Sequence, residues 1–221
     1  MADLGFRTKA DLVREELRAR LLRGDLQPGD RVPIATLARE LGVSQIPVRE
    51  GIKRLEAEGL LAFETHKGAV VPRLAPADIE ETFAIRAELE GLAARRAATA
   101  ITPERLAELR AILDEMAEAA ASGDHEAYGR GNRAFHLTIY RSQPYGRLTT
   151  MIETLWDQTD WCRRIFARDE ESLAASAGEH EAILAALARG DGEAAEAHLH
   201  QQKRRSSAWL LAHLDTEETT T

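Results

Sequence analysis

A single cysteine, Cys162, in 221 residues excludes a disulfide within the chain and fits a reducing compartment. It falls on an expected apolar helix face, where a buried thiol with no chemistry is the ordinary outcome. No run approaches the ~18 consecutive apolar residues of a membrane span. The opening MADLGFRTKADLVREEL lacks the apolar core of a secretory signal, so a soluble cytoplasmic protein is expected. Basic charge is also scarce. The formal net charge is −8 and the pI about 5.5, which taken whole argues against a nucleic-acid partner. No repeat of fixed period is visible, and past residue 76 there is scarcely a β-branched run.

The charge is unevenly placed, however. Residues 1–73 hold 13 Lys/Arg against 11 Asp/Glu, whereas the remainder holds 16 against 26. A slightly basic front joined to an acidic rear fits a nucleic-acid module coupled to a partner domain. A net excess of two is too small for bulk attraction, so affinity has to rest on where individual Arg and Lys stand.

The front is organised around IATLARELGVSQIPVREGIKRLEAEGLL, residues 34–61. Ile34, Leu37, Ala38 and Leu41 form the apolar stripe of a short helix, which Gly42 stops. Ser44 is a suitable N-cap for a second helix, and Pro47 is tolerated in its first turn. Val48, Ile52 and Leu55 then point inward, leaving Gln45, Arg49, Lys53 and Arg54 on other faces. Two short helices joined by a Gly-containing turn make a helix-turn-helix, whose second helix enters the major groove N-terminus first. Gln45 can pair with adenine, Arg49 with guanine, and Ile46 can touch a thymine methyl; Ser44, Pro47 and Lys53 flank them. The plainer reading is a helical hairpin with a solvated face. Two expected strands, Leu60–Phe63 and Ala69–Val71, enclose Thr65-His66-Lys67-Gly68, a basic hairpin placed as a wing. Ahead of these lie a helix from Thr8 to Arg23, with Leu12, Val13, Leu17, Leu21 and Leu22 inward, and a short strand at Arg31–Pro33.

LQPGDRV, GVS…PVRE…RLEAEGLL and HKGAVV together resemble the winged helix-turn-helix of the GntR transcription regulators over residues 9–73. The resemblance implies DNA binding by Ser44, Gln45, Ile46, Pro47, Arg49, Lys53, His66, Lys67 and Gly68. Gln45 and Ile46 stand where many relatives carry Arg and Thr, so the operator sequence does not follow from the family.

The expected fold class is mainly α: a winged helix-turn-helix (residues 1–73), a linker (74–76), an all-α bundle (77–215) and a frayed tail (216–221). Alanine, Leu, Glu and Arg dominate the rear, and breaks rich in Gly, Pro and Ser suggest helices at about 77–100, 103–121, 124–142, 145–168, 170–189 and 192–213. Polar residues on the inward stripes carry the information. Arg86 lies three residues from both Phe83 and Leu89 and faces inward, where a guanidinium needs a partner. Either Glu90, four residues on, makes a structural pair with it, or Arg86 holds the carboxylate or phosphate of a ligand. Asn132 and His136 share a face, His180 heads the stripe of Ile183, Leu184 and Leu187, and His198 and Gln202 lie on the side of Trp209. Arg163, beside Trp156 and Phe166, is a further pocket candidate. Trp156, Trp161 and Tyr140 are read as packing, and Tyr128 is unassigned.

NRAFH, GEHEAILAAL followed by GD, and the last helix resemble the effector domain of FadR-type GntR regulators, often called FCD, over residues 76–213. Many relatives hold a divalent metal there. Carried over, its ligands are Asn132, His136 and His180. The last family His falls at Gln202, and His198 one turn earlier is the substitute, displaced by about 6 Å along the helix. Imidazoles favour zinc or nickel; the alternative is a metal-free polar pocket built of the same residues. The whole implies a homodimeric repressor on a double-stranded operator, released by a small organic acid that meets Arg86, Asn132, His136, Arg163, His180, His198 and Gln202. The rivals are a constitutive DNA binder with a vestigial pocket and a metal-dependent all-α enzyme. The enzyme lacks an evident base, because Glu179 points about 100° away from His180 on a helix.

Overall fold

The computed structural model describes residues 8–159 and 170–217, and the chain divides into two units, Met1–Leu74 and Ala75–Thr221. Arg163 and Cys162 lie outside the described residues.

In the first unit, α1 (Lys9–Arg23) opens on a reciprocal cap. The Asp11 N–H donates to Thr8 Oγ1, and the Thr8 N–H donates to the Asp11 carboxylate. Gly24, at φ 82°, closes it. Helices α2 (Ile34–Glu40) and α3 (Gln45–Ala57) follow, with Gly42 at φ 63° turning the chain between them. Strands β1 (Ala62–Glu64) and β2 (Gly68–Val70) pair antiparallel, Phe63 opposite Ala69. Arg31 bridges to Val70 and the Val32 N–H donates to the Ala69 carbonyl, so the short segment before α2 lies along the second strand. Val13, Leu17, Leu37, Val48, Ile52, Leu55 and Leu61 form the core.

Two expectations are corrected here. Leu12 is 50% exposed instead of inward, because Val13 and Leu17 take the face toward α3. Leu60 and Leu61 precede the first strand as buried packing residues.

Helix α1 crosses α3 closely at Gly51, where an added Cβ would stand 2.9 Å from Val13 Cγ1 and 3.2 Å from the Ala10 carbonyl oxygen. Ion pairs Arg14–Glu58 and Arg54–Asp11 flank the crossing.

The second unit contains α4 (Pro76–Ala97), α5 (Pro103–Ser122), α6 (His125–Arg141), α7 (Gly146–Gln158), α8 (Glu170–Ala188) and α9 (Gly192–Glu217). The helix expected over 145–168 ends at Gln158, with Thr159 as its C-cap; residues 160–169 are outside the described set. Asp78 accepts from the Ala75 N–H to start α4, Thr102 caps α5, and Asp124 caps α6. Helices α4 and α9 run antiparallel: Arg95 meets Gly192, and Gly91 meets Glu196 and His200. A Cβ on Gly192 would fall 2.6 Å from the Arg95 carbonyl oxygen, a backbone atom that cannot give way, whereas one on Gly91 would displace the His200 ring, 2.5 Å away at Nε2. Leu109, Phe135, Ile139, Ile152, Ile183 and Leu199, from five helices, fill the interior.

Gly51→Leu forces α1 away from α3 and is expected to destabilise the first unit by about 1–3 kcal/mol. Chemical denaturation of the variant checks this, and an unchanged midpoint would show that the crossing yields freely.

Candidate functional site

The first unit exposes one face of α3. Val48, Ile52 and Leu55 are wholly buried beneath α3, which leaves Gln45, Ile46, Arg49 and Lys53 exposed on its other faces. Ile46, 73% exposed, is the most exposed large apolar side chain among the described residues. Ser44 occupies the N-cap position with no side-chain cap bond, and Pro47 is half-buried behind it. At the hairpin tip His66 has φ 67°, and its carbonyl accepts from Arg31 Nη2 at 3.0 Å, which ties the wing to the preceding segment. Lys67 and Gly68 are exposed, with Lys67 paired to Glu64 at 2.6 Å.

The second unit hides its charges. Glu90 on α4 has no exposure to water, and donors from four helices surround it. Oε1 accepts from Arg86 Nε at 2.8 Å and from Trp156 Nε1 at 2.7 Å. Oε2 accepts from the Tyr140 hydroxyl and lies 2.9 Å from Lys203 Nζ. A carboxylate offers about four lone-pair sites, and all are met. Arg86 passes a second bond from Nη1 to Thr159 Oγ1 at 2.8 Å, and its guanidinium lies over the rings of Phe83 and Trp156 at 4.8 and 4.7 Å. The structural Arg86–Glu90 pair therefore exists, as one corner of a larger cluster.

Burial alone would raise the Glu90 carboxyl, but Lys203, Arg86 and the Tyr140 hydroxyl outweigh it and hold the group below its ordinary value. Burial pulls the Lys203 ammonium down, with Glu90 opposing and Arg86 adding to the fall. Tyr140 is pushed well up, by burial first and then by Glu90.

The network continues into the histidines. Tyr140 Oη is 3.1 Å from His136 Nδ1, and His136 Nε2 is 3.2 Å from His180 Nε2. Phe135 packs edge-on to both rings. Burial, then Lys203 and Arg205, push the His180 imidazole down to about 3. His180 Nδ1 and Gln202 Oε1 are buried with no hydrogen-bond partner among the described residues. Of the remaining sequence candidates, Asn132 and His198 are half-buried, and no hydrogen bond among the described residues joins either to the histidine pair.

Sequence reasoning missed Lys203, which was legible as one turn beyond Leu199 and seven residues before Leu210, but sits in the charged run QQKRR. It also read Tyr140 and Trp156 as packing alone, although each donates to Glu90.

The sequence leaves two expectations for these residues, a zinc or nickel site and a metal-free polar pocket. The 3.2 Å between the two Nε2 atoms would suit two ligands of one ion with bonds of about 2.0–2.1 Å. The rest of the donor set does not fit. Gln202 and Asn132 bring only neutral carboxamide oxygens, poor ligands for an imidazole-preferring metal. Arg86 and Lys203 already outnumber Glu90, the carboxylate between them, and a divalent ion would add two charges to that local surplus. No group of three His, Cys, Asp or Glu side chains among the described residues is placed to hold an ion.

Two outcomes follow. Protein purified without chelator or affinity tag should carry far less than one equivalent of zinc or nickel by elemental analysis; a full equivalent would mean that His136, His180 and Gln202 close around an ion. Acid should also loosen the second unit. An unfolded histidine takes up a proton below about 6.5, while folded His180 resists until about 3. Its contribution is thus complete above about pH 6.5 and is lost as pH falls toward 3, by up to about 1.4 kcal/mol per pH unit. Denaturation midpoints across that range should show the slope, and His180→Phe should flatten it.

Comparison with known proteins matches both units. Residues 9–71 match the family model of bacterial regulatory proteins, gntR family, and residues 81–202 match the FCD domain. The HTH-type transcriptional regulator McbR of Escherichia coli (strain K12) is 37% identical over 144 residues, which span 65% of this chain and 65% of that protein. A "Probable D-xylose utilization operon transcriptional repressor" of Paenarthrobacter nicotinovorans is 33% identical over 93% of this chain and 88% of its own length. The solved structure of E. coli McbR/YncC superposes with a TM-score of 0.82 at 31% identity, covering 93% of this chain and 98% of that one. A metal-free FCD domain of TM0439, at 21% identity and TM-score 0.54 over 65% of this chain, shares the fold. The chain belongs to the GntR family of bacterial regulatory proteins, with a helix-turn-helix unit followed by an FCD domain.

Proposed function

We propose that this protein is a transcription regulator, acting as a repressor, that binds a pseudo-palindromic operator as a homodimer and releases it when a small molecule enters the helical unit. The observation that carries the reading is the exposed Gln45, Ile46 and Arg49 edge of α3 above a fully buried underside. It presents a bidentate amide, an apolar contact and a guanidinium at the end of a helix that fits the major groove. The wing residues His66, Lys67 and Gly68 add backbone or minor-groove contact. A single winged unit reaches too few base pairs to be selective alone, so a twofold pair on two half-sites is the natural assembly. The relative named as a probable operon repressor agrees in sign.

A small organic acid is the effector favoured by the buried charge balance, because Arg86 and Lys203 face one carboxylate, Glu90. In this reading His136, His180, Gln202, Asn132 and His198 would shape the site around it. Whatever its chemistry, an effector moves the DNA equilibrium only by binding one state better than the other.

Arg49→Ala should weaken operator binding by ~1–3 kcal/mol while leaving random-sequence DNA nearly unaffected. Titration by gel shift or anisotropy against both duplexes reads the difference, and footprinting should show two half-sites. Equal loss on both duplexes would reduce Arg49 to a phosphate contact, and a lone half-site would remove the dimer.

A further inference from the structure

Among the described residues of the second unit, the exposed large apolar side chains are Ile85 and Leu92 on α4, Tyr145 at the head of α7 and Met151 within it. All of them therefore come from two helices, and these are neighbours. The Arg96 guanidinium lies 4.2 Å from the centre of the Tyr145 ring at one end, and Arg86 bonds to Thr159 at the other, so α4 and α7 run antiparallel. Met151 lies about 160° around its helix from Glu153, which pairs with Arg141 of α6 at 2.6 Å. It thus stands on the side away from α6, toward α4. Single exposed apolar residues need no explanation, but a grouped set marks a contact surface.

The outer face of α4 is also complementary to itself. At about 100° per residue, Glu81, Ile85, Leu92 and Arg96 fall within about 60° of one another, on the side away from Glu90. All four are exposed. Ile85 and Leu92 lie equally far along the chain from the midpoint between Glu88 and Leu89, and Glu81 and Arg96 are symmetric about that same midpoint. A twofold axis passing there turns α4 end for end onto a second α4. It sets Ile85 against the partner subunit's Leu92 and Glu81 beside the partner subunit's Arg96, and each pairing occurs twice, as an isologous interface requires. Neither Glu81 nor Arg96 has an ion pair within the chain among the described residues. The charges also fix direction, because a parallel pairing would oppose Glu81 to its own copy and Arg96 to its own copy.

We propose that this face of α4, flanked by Tyr145 and Met151, binds the same face of a second copy of this chain, antiparallel about a twofold axis. The inference rests on the homodimer reading and names the surface that makes the dimer. Arg86 and Glu90 are buried on the inner side of the same helix, so the charged cluster and the interface share one element.

The test follows the mass of the full chain by sedimentation over a range of concentrations. The wild type is expected to dimerise. Leu92→Glu puts a carboxylate against the partner's Ile85, and Glu81→Arg brings like charges together; each should raise the dimer dissociation constant at least about tenfold. Both positions are exposed, so circular dichroism should report an unchanged helix content. Glu81→Arg combined with Arg96→Glu restores opposite charges and should recover the dimer, which general damage to the fold would not do. A monomeric wild type, no weakening by either single change, or no recovery in the double variant would each overturn the proposed face. Footprinting decides the homodimer reading separately. Two protected half-sites with a dimer indifferent to these changes would leave that reading standing and put its interface elsewhere, whereas a lone half-site would remove both.

Discussion

A carboxylate wholly removed from water must have each of its lone pairs met, and Glu90 has. Arg86 reaches it from the same helix, Tyr140 from α6, Trp156 from α7 and Lys203 from α9. Four helices are therefore held in register by one side chain, with a specificity that apolar packing alone supplies only through shape. Removing one partner of such a cluster leaves an uncompensated buried charge, at about 3–5 kcal/mol. The narrow packing of α4 on α9 serves the same end. Gly192 lets its backbone approach that of Arg95, and α9 brings Lys203 to Glu90.

The two units solve burial in opposite ways. The first keeps an apolar core and puts its charges on the outside, where Arg49, Lys53 and Lys67 are exposed, the two lysines beside Glu50 and Glu64. The second takes charges inside and saturates them. A surface meant to meet DNA gains from exposed cations. A network of linked hydrogen bonds in the interior makes each bond depend on its neighbours. The chain's overall acidity reflects the size of the second unit and says little about the first.

The departures from the family's metal-binding pattern are linked chemically. Gln202 replaces an imidazole with a neutral amide, and the next residue, Lys203, brings a fixed ammonium into the same buried region, 2.9 Å from Glu90. A resident cation at that point removes the electrostatic reason to recruit a divalent one. It also helps to keep His180 neutral, since Lys203 follows burial as a cause of that ring's depressed protonation. The two histidine rings meet through their Nε2 atoms at 3.2 Å.

The sequence by itself determined the helix-turn-helix, its wing and most helix limits, because these follow from local rules. Apolar spacing sets the inward face of α3, left-handed Gly24 and Gly123 end α1 and α5, and Thr102 and Asp124 start their helices. It also marked Arg86, His136 and His180 as inward-facing, since a polar residue on an apolar stripe stands out. Only tertiary structure decided which of them meet. Lys203 lies 113 positions beyond Glu90 in the chain, and Trp156 lies 66 beyond it; no periodicity within one helix reports which turn of another it will face. His198 and Gln202 share a helix side in the pattern, yet the last helix carries Gln202 into the interior and leaves His198 half-buried. That outcome was set by the rotation of α9 against α4, where Gly192 lies against the Arg95 backbone, and rotation about a helix axis is a property of the packed pair.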